Sequence, residues 1–417
     1  MRSLHSGALN PPKPLPALAR SWTASRRMRR TLAITLFLAS LAPAGIGLVH
    51  WGVGLQRPGY TNFGDYYLDA RIGVHDGWRS LYDLKVEERE WQALGGADVL
   101  PMFPVIYPPP LAWLVAPFSL LPFPIAFALW ATLILGLFLW VWTMVAPGSR
   151  LQRWTLLAAA IGTSPVSFGL LLAHVLIGIL AGVTAAWWFL RTRREVLAGL
   201  ALLVLAIRPQ AALLVPFALL VAGYRRTFLV WAAGMAVIVG VAMASVGPAG
   251  VHEYADRLQV AAGSGGSDYL VTNSLSAAGI LGHGWLAALA QGGLIVVTLI
   301  AAYRWRREGP ELPIVAGLIG SLLVTPFIHL EDLTTAIVAA WLYLRTRPPV
   351  QGRIHLALGY AVLALFGNLT GPSILFRFSV GTEPFFVCWE VAWLLLLAWL
   401  PHRRMLIAAA EPIPVAA

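Results

Sequence analysis

The chain has 417 residues, 58% hydrophobic and 12% charged, against about 25% charged in an ordinary soluble domain. So much apolar surface, at a mean hydropathy of +0.72, cannot be hidden in one aqueous core, and a soluble globular protein is excluded. The formal net charge of +11 does not describe a nucleic-acid surface, because it is spread as short arginine clusters between apolar runs.

Residues 1–30 are basic and Pro-rich without apolar periodicity, and read as a disordered cytoplasmic tail. A first apolar run follows over 31–53. Arg29-Arg30, that run and Ala42-Pro43-Ala44 imitate a cleavable leader, but the apolar stretch continues to Trp51 and favours a retained span. Further apolar runs fall at 107–122, 124–146, 154–172, 175–190, 196–207, 211–223, 227–246, 285–303, 313–327, 333–344, 354–370 and 384–400. Several are shorter than the ~20 residues that cross a bilayer as a helix.

Clusters at Arg191/Arg193/Arg194, Arg225/Arg226, Arg304/Arg306/Arg307, Arg345/Arg347 and Arg403/Arg404 lie between these runs. Basic loops stay in the cytoplasm, so both termini are expected inside. Closing the parity requires one element between 107 and 190 not to cross, and Thr163-Ser164-Pro165 through His174 is the candidate. The expectation is an all-α polytopic protein with about 12 spans, built as one membrane domain over 31–404 with a cytoplasmic tail at 405–417. The pieces 196–207 and 211–223 meet at Arg208-Pro209-Gln210 and read as half-length helices lining a cavity, since irregular backbone is not left facing lipid.

The outer loops are expected at 54–104, with an amphipathic helix, and at 247–284. The first holds 8 of the 19 acidic residues. No phosphate-cradling Gly-rich loop, zinc spacing or nucleophile elbow is present, which leaves ATP-driven pumping and metalloprotease chemistry without support. One cysteine, Cys388, excludes an intrachain disulfide.

The sharpest local pattern is Asn62-Phe63-Gly64-Asp65-Tyr66-Tyr67, then Ala70-Arg71, Leu81-Tyr82-Asp83 and Tyr107-Pro108-Pro109-Pro110-Leu111. In order and spacing it resembles the N-terminal region of family 87 glycosyltransferases, GT-C-fold enzymes that include polyprenyl-phosphomannose-dependent α-1,2-mannosyltransferases. Looser likenesses follow. Ser164-Pro165 to Ala173-His174-Val175-Leu176 stands where that family usually ends on Gly-Gln-x-Asn. Arg208-Pro209 replaces Lys-Pro, Asn273-Ser274-Leu275 resembles Asn-Ser-Leu, and Thr325-Pro326, His329 and Asp332 resemble Ser-Pro…His…Asp.

The resemblance implies inverting transfer of a hexose, mannose by analogy, from a polyprenyl-phosphate sugar to a glycan or glycolipid on the outer face of the cell membrane. Such transfer requires a carboxylate to take the acceptor's proton, and Asp65 matches the family's proposed base. It also requires fixed positive charge for the departing phosphate, for which Arg208, His329 and Arg377 are candidates. Tyr67, Arg71, Tyr107, His174, Asn273 and Asp332 are candidates for substrate contact. No metal, cofactor or nucleic-acid partner is expected. A lipid-linked sugar carrier or flippase without transfer chemistry is the alternative, since a broken helix and a buried arginine also suit an anionic lipid.

Overall fold

The structure is a computed structural model that describes residues 16–56, 59, 61–96, 106–260, 275–282, 284–326, 328–369 and 383–399. Its regular elements among these residues are all helical. In chain order they are α1 (Pro16–Gln56), α2 (Asn62–His75), α3 (Leu84–Ala93), α4 (Pro109–Ser119), α5 (Phe123–Val145), α6 (Arg150–Ile161), α7 (Ser164–Leu171), α8 (Leu176–Arg191), α9 (Glu195–Ala201), α10 (Leu214–Val221) and α11 (Arg225–Gln259). After these come α12 (Ala277–Leu281), α13 (Trp285–Arg304), α14 (Glu311–Val324), α15 (Thr334–Arg345), α16 (Val350–Leu369) and α17 (Glu383–Trp399).

Among the described residues, four helical stretches are long and apolar enough to cross a membrane: Arg30–Val53, Phe123–Val145, Arg225–Gln259 and Trp285–Arg304. A fifth arises if α6 and α7, bent by 69° at their break, count as one span. The protein is therefore a multi-pass membrane protein, but the expected twelve spans are not met. The physical reason is length. Leu176–Arg191, Glu195–Ile207, Glu311–Val324 and Pro384–Trp399 are apolar but only 10–17 residues long, below the ~20 that reach across the hydrocarbon. The 69° bend falls at Gly162-Thr163, where the stretch assigned from sequence to a non-crossing element begins. A second difference concerns α1. It is helical from Pro16, inside the stretch whose composition reads as a tail, and a proline at the first helical position suits such a start.

The expected broken helix is present. α9 gives way to a 3-10 turn at Leu202–Ile207, Arg208 adopts φ −158° and ψ 80°, a second 3-10 turn spans Pro209–Ala211, and α10 leads back toward the start of α9, where Thr227 donates to the Glu195 carbonyl at 3.1 Å. Pro209 lacks a backbone donor, so the ladder fails there. α10 then lies close against α14, because a Cβ on Gly317 would stand 2.7 Å from the Val215 backbone. α11 also breaks, at Gly247, whose φ of 71° belongs to the left-handed region that glycine adopts at least cost.

α5, α8 and α15 run side by side in one direction. At their C-terminal ends Arg345 donates to the Val145 carbonyl at 3.2 Å and lies over the Trp187 ring at 4.9 Å. Arg191 pairs there with Glu311 at 3.4 Å, and Arg304 caps the Ala398 carbonyl of α17 at 2.7 Å. Several basic residues between the apolar runs thus also satisfy helix C-terminal carbonyls. The opposite ends of these helices carry the polar site.

Candidate active site

The site is built around the start of α2. Its amide at Asn62 donates to the Leu172 carbonyl at 3.1 Å, which docks the helix on the turn between α7 and α8. Phe63, fully buried, stacks on Trp130 at 5.5 Å and Phe123 at 6.1 Å. Tyr67 donates its hydroxyl to the Leu121 carbonyl at 2.7 Å. α2 is thus buried around most of its circumference, including Tyr66, Leu68, Asp69, Ala70 and Ile72. α2 is therefore not an amphipathic helix of the first loop: its aromatic residues pack inward on α4 and α5.

Asp65 stays half-buried on this helix, and its carboxylate makes no hydrogen bond or ion pair among the described residues. Burial first, and then the negative charge of Glu87, push its carboxyl up to about 8. Behind it, Tyr66 meets Tyr107 edge-on at 5.0 Å, and Asn62 donates to the Tyr107 hydroxyl at 3.5 Å. Tyr107 feels the charges of both Asp65 and Arg208, so both stand near it.

Arg208 is 4% exposed at the helix break. Its Nη2 donates to Asp332 Oδ2 at 3.0 Å, and its Nη1 stands 2.8 Å from Oδ1 as a close ion pair. The same Nη1 lies 2.7 Å from the Nε2 of His174. His174 sits on a tight turn in which Ala173 stands at φ 51°, a left-handed conformation that costs a non-glycine residue roughly 1–2 kcal/mol. The turn is held by Trp130, which donates to the Ala173 carbonyl at 2.8 Å. Asp332 is oriented in turn by the His329 amide, which donates to Oδ2 at 3.1 Å, and Glu331 stands 3.9 Å from the His329 ring.

His329, Glu331 and Asp332 place one ligand atom each within 4.8 Å of one another, close enough to hold a metal ion. Asp332, however, already faces the Arg208 guanidinium through both oxygens. A cation there would have to displace or sit beside that fixed positive charge.

Asp65, Tyr107, His174, Arg208, His329 and Asp332 therefore come together, as a half-buried carboxylate near a buried, arginine-centred cluster. Tyr67 is spent on packing against α5. Arg71 turns to Glu90 of α3, with an N–O distance of 3.1 Å. Asn273 and Arg377 lie outside the described residues. Tyr66, Asp69, Glu87 and Arg257 carry no site assignment from sequence. Asp69 is 2% exposed, and burial, with Asp65 and Glu87 nearby, raises its carboxyl well above the usual range. Its i, i+4 spacing from Asp65 was the available signal.

These features define a class: a multi-pass, all-α membrane protein with a polar, arginine-centred site at one end of its helices. Residues 105–326, just over half of the chain, match the model of glycosyltransferase family 87, and the chain belongs to that family, with a GT-C-like fold. Membership supports glycosyl transfer in general. The matched stretch contains Tyr107, His174 and Arg208 but begins after Asp65, and it ends before His329 and Asp332. Neither curated proteins nor solved structures give a match.

Proposed function

We propose that this protein transfers a hexose, mannose by family resemblance, from a polyprenyl-phosphate donor to a glycan or glycolipid acceptor on the extracytoplasmic face. The acceptor hydroxyl oxygen attacks the anomeric carbon, and its proton passes to Asp65. The bond from that carbon to the phosphate oxygen breaks, and the polyprenyl phosphate leaves with the electron pair. One carboxylate acting in this way on a β-linked donor inverts the centre and yields an α-linked product.

The observation that carries the reading is an unengaged carboxyl pushed up to about 8 and a buried arginine, both near enough to Tyr107 for it to feel their charges. A base works best when its pKa lies near the working pH. Arg208 supplies charge for the leaving phosphate without a metal, and the N-terminal ends of α8 and of the Leu330–Arg345 helical run beside it add positive dipole. His174 and Asp332 hold the guanidinium in place, and His329 at the rim of the cluster is a second phosphate partner. Arg377 and Asn273 keep their proposed roles in phosphate and substrate contact.

Purified protein in liposomes, given radiolabelled polyprenyl-phosphate hexoses with oligosaccharide acceptors, tests the proposal. The expected result is labelled glycan, formed in the presence of a chelator, at a rate that falls as pH drops below about 8 because the base becomes protonated. Movement of intact donor across the bilayer with no labelled glycan would support the carrier reading instead.

A further inference from the structure

The arginines at the helix ends farthest from the site fall into two groups. Arg191, Arg304 and Arg345 are engaged, with Glu311, with the Ala398 carbonyl and with the Val145 carbonyl. Arg193, Arg194 and Arg226 are exposed, and their side chains make no hydrogen bond or ion pair among the described residues. These three line one surface cleft of about 230 Å³, together with Glu195, Val196 and Leu197. Three guanidiniums against one carboxylate leave the cleft strongly basic. It lies at the far end of the molecule from Arg208: α8 runs from the His174 turn to Arg191, and α9 with its 3-10 continuation returns from Glu195 to Arg208. That return covers roughly 20 Å.

Local structure brings the three together. α8 ends in a Schellman-type turn, in which the Arg194 amide donates to the Phe189 carbonyl at 2.8 Å and the Arg193 amide to that of Leu190 at 3.0 Å. Arg193 takes the left-handed position of this turn at φ 59°, where glycine is the residue of least cost. An arginine therefore stands there against backbone preference, with no side-chain bond to offset it. α9, which follows, is fixed to the first turn of α11: Thr227 donates to the Glu195 carbonyl, and a Cβ on Gly199 would stand 2.6 Å from the Thr227 carbonyl oxygen. This contact sets Arg226 beside the α8–α9 turn. Below the guanidiniums the surface turns apolar. Leu229 shares the Arg226 face of α11 at i, i+3 and is 65% exposed, and Leu197 and Leu200 of α9 are exposed as well. α11 is long enough to cross the membrane and begins at Arg225, which sets the cleft where hydrocarbon meets headgroups.

We propose that this cleft binds the headgroup of an anionic phospholipid, with its phosphate among Arg193, Arg194 and Arg226 and its acyl chains along Leu197, Leu200 and Leu229. Guanidiniums pair with phosphate oxygens through charge-assisted hydrogen bonds. A basic pocket set directly above lipid-facing leucines favours a phosphate that carries chains over one free in solution. Membrane orientation alone accounts for basic residues at this end. It does not account for three of them converging unpaired on one cleft, nor for an arginine in a glycine position. The lipid belongs to the leaflet opposite the candidate active site, the cytoplasmic one under the proposed sidedness, and is distinct from the sugar donor.

The test is lipid retention by the full chain in maltoside micelles, read by native mass spectrometry, with dioleoylphosphatidylglycerol, dioleoylphosphatidylcholine and inorganic phosphate as probes. Phosphatidylglycerol should be retained in preference to phosphatidylcholine, and phosphate at equal concentration should not displace it. Each basic residue near an acidic lipid contributes about fivefold to affinity, so Arg194→Gln and Arg226→Gln should each weaken retention by roughly that factor. Arg193→Gly should weaken it as much while raising the midpoint of thermal unfolding, because relief of the left-handed arginine exceeds the added flexibility of the unfolded chain. Arg306→Gln/Arg307→Gln, on the basic loop after α13, should leave retention unchanged. Equal retention of the two lipids, or an equal loss in the Arg306/Arg307 control, reduces the cleft to a general basic surface and overturns the proposal. Wild-type retention by the three cleft variants overturns it as well. Displacement by phosphate at equal concentration makes the cleft a free-anion site and overturns the lipid assignment.

Discussion

The decisive residue pair is Arg208 with Asp332, because both are buried and each is the other's main counter-charge. Removing one partner of such a pair leaves an uncompensated charge and typically costs 3–5 kcal/mol. Arg208→Ala should therefore lower thermal stability as well as donor use, with a rate loss of roughly tenfold or more, since a charge-assisted contact contributes about 1.5–3 kcal/mol. Arg208→Lys keeps the charge but loses the fork, so it should fall between the two. Turnover with a labelled donor, alongside a melting curve in the same nanodisc, checks both. Wild-type turnover in a folded Arg208→Ala protein removes Arg208 from the site. This residue was legible from sequence because an arginine beside a proline inside an apolar run has few innocent explanations. Asp332 was legible beside it. Asp69 was not, since an acid one turn from an outer-loop aspartate reads as a solvated charge until packing shows it at 2% exposure.

Among the elements, the turn between α7 and α8 does the most to place the site. It accepts the first amide of α2 through Leu172, carries His174 to Arg208, and holds Ala173 in the left-handed region. The family likeness puts glycine at this position, and glycine adopts that conformation without a Cβ penalty. Ala173→Gly should then be stabilising by about 1 kcal/mol, the relief of the strained φ less the added flexibility of the unfolded chain. A rise in the midpoint of thermal unfolding, with transfer retained, is the expected outcome; a fall would mean that the surrounding contacts need the methyl group. The broken helix at Arg208-Pro209 was readable from its proline. The buried ion pair of Glu87 with Arg257 was not. Its partners stand 170 residues apart, and no local period links them.

For the whole molecule, apolar runs correctly announced an all-α membrane protein, while only four or five of the expected crossings are long enough among the described residues. Hydropathy measures how apolar a run is, whereas crossing also requires length and straightness. Helices such as Glu311–Val324, buried along nearly its whole length, are apolar because they pack inside the bundle. Sidedness is the remaining architectural claim. With Cys388 replaced, single cysteines at Gly95 and Gly265 should react with an impermeant reagent in intact cells, which would place both loops outside. Labelling only after lysis would put the site on the cytoplasmic side and contradict the proposed donor chemistry.

Asp65→Asn keeps the shape of the side chain but cannot take a proton, and general-base catalysis typically contributes about 10²–10⁴-fold. The measurement is sugar transfer and donor binding by Asp65→Asn, Asp69→Asn and Asp76→Asn in one nanodisc preparation, near the pH of about 8 at which Asp65 ionises. The account predicts that Asp65→Asn binds donor normally and loses transfer by at least two orders of magnitude, far more than the other two. Near-normal transfer by Asp65→Asn would contradict it.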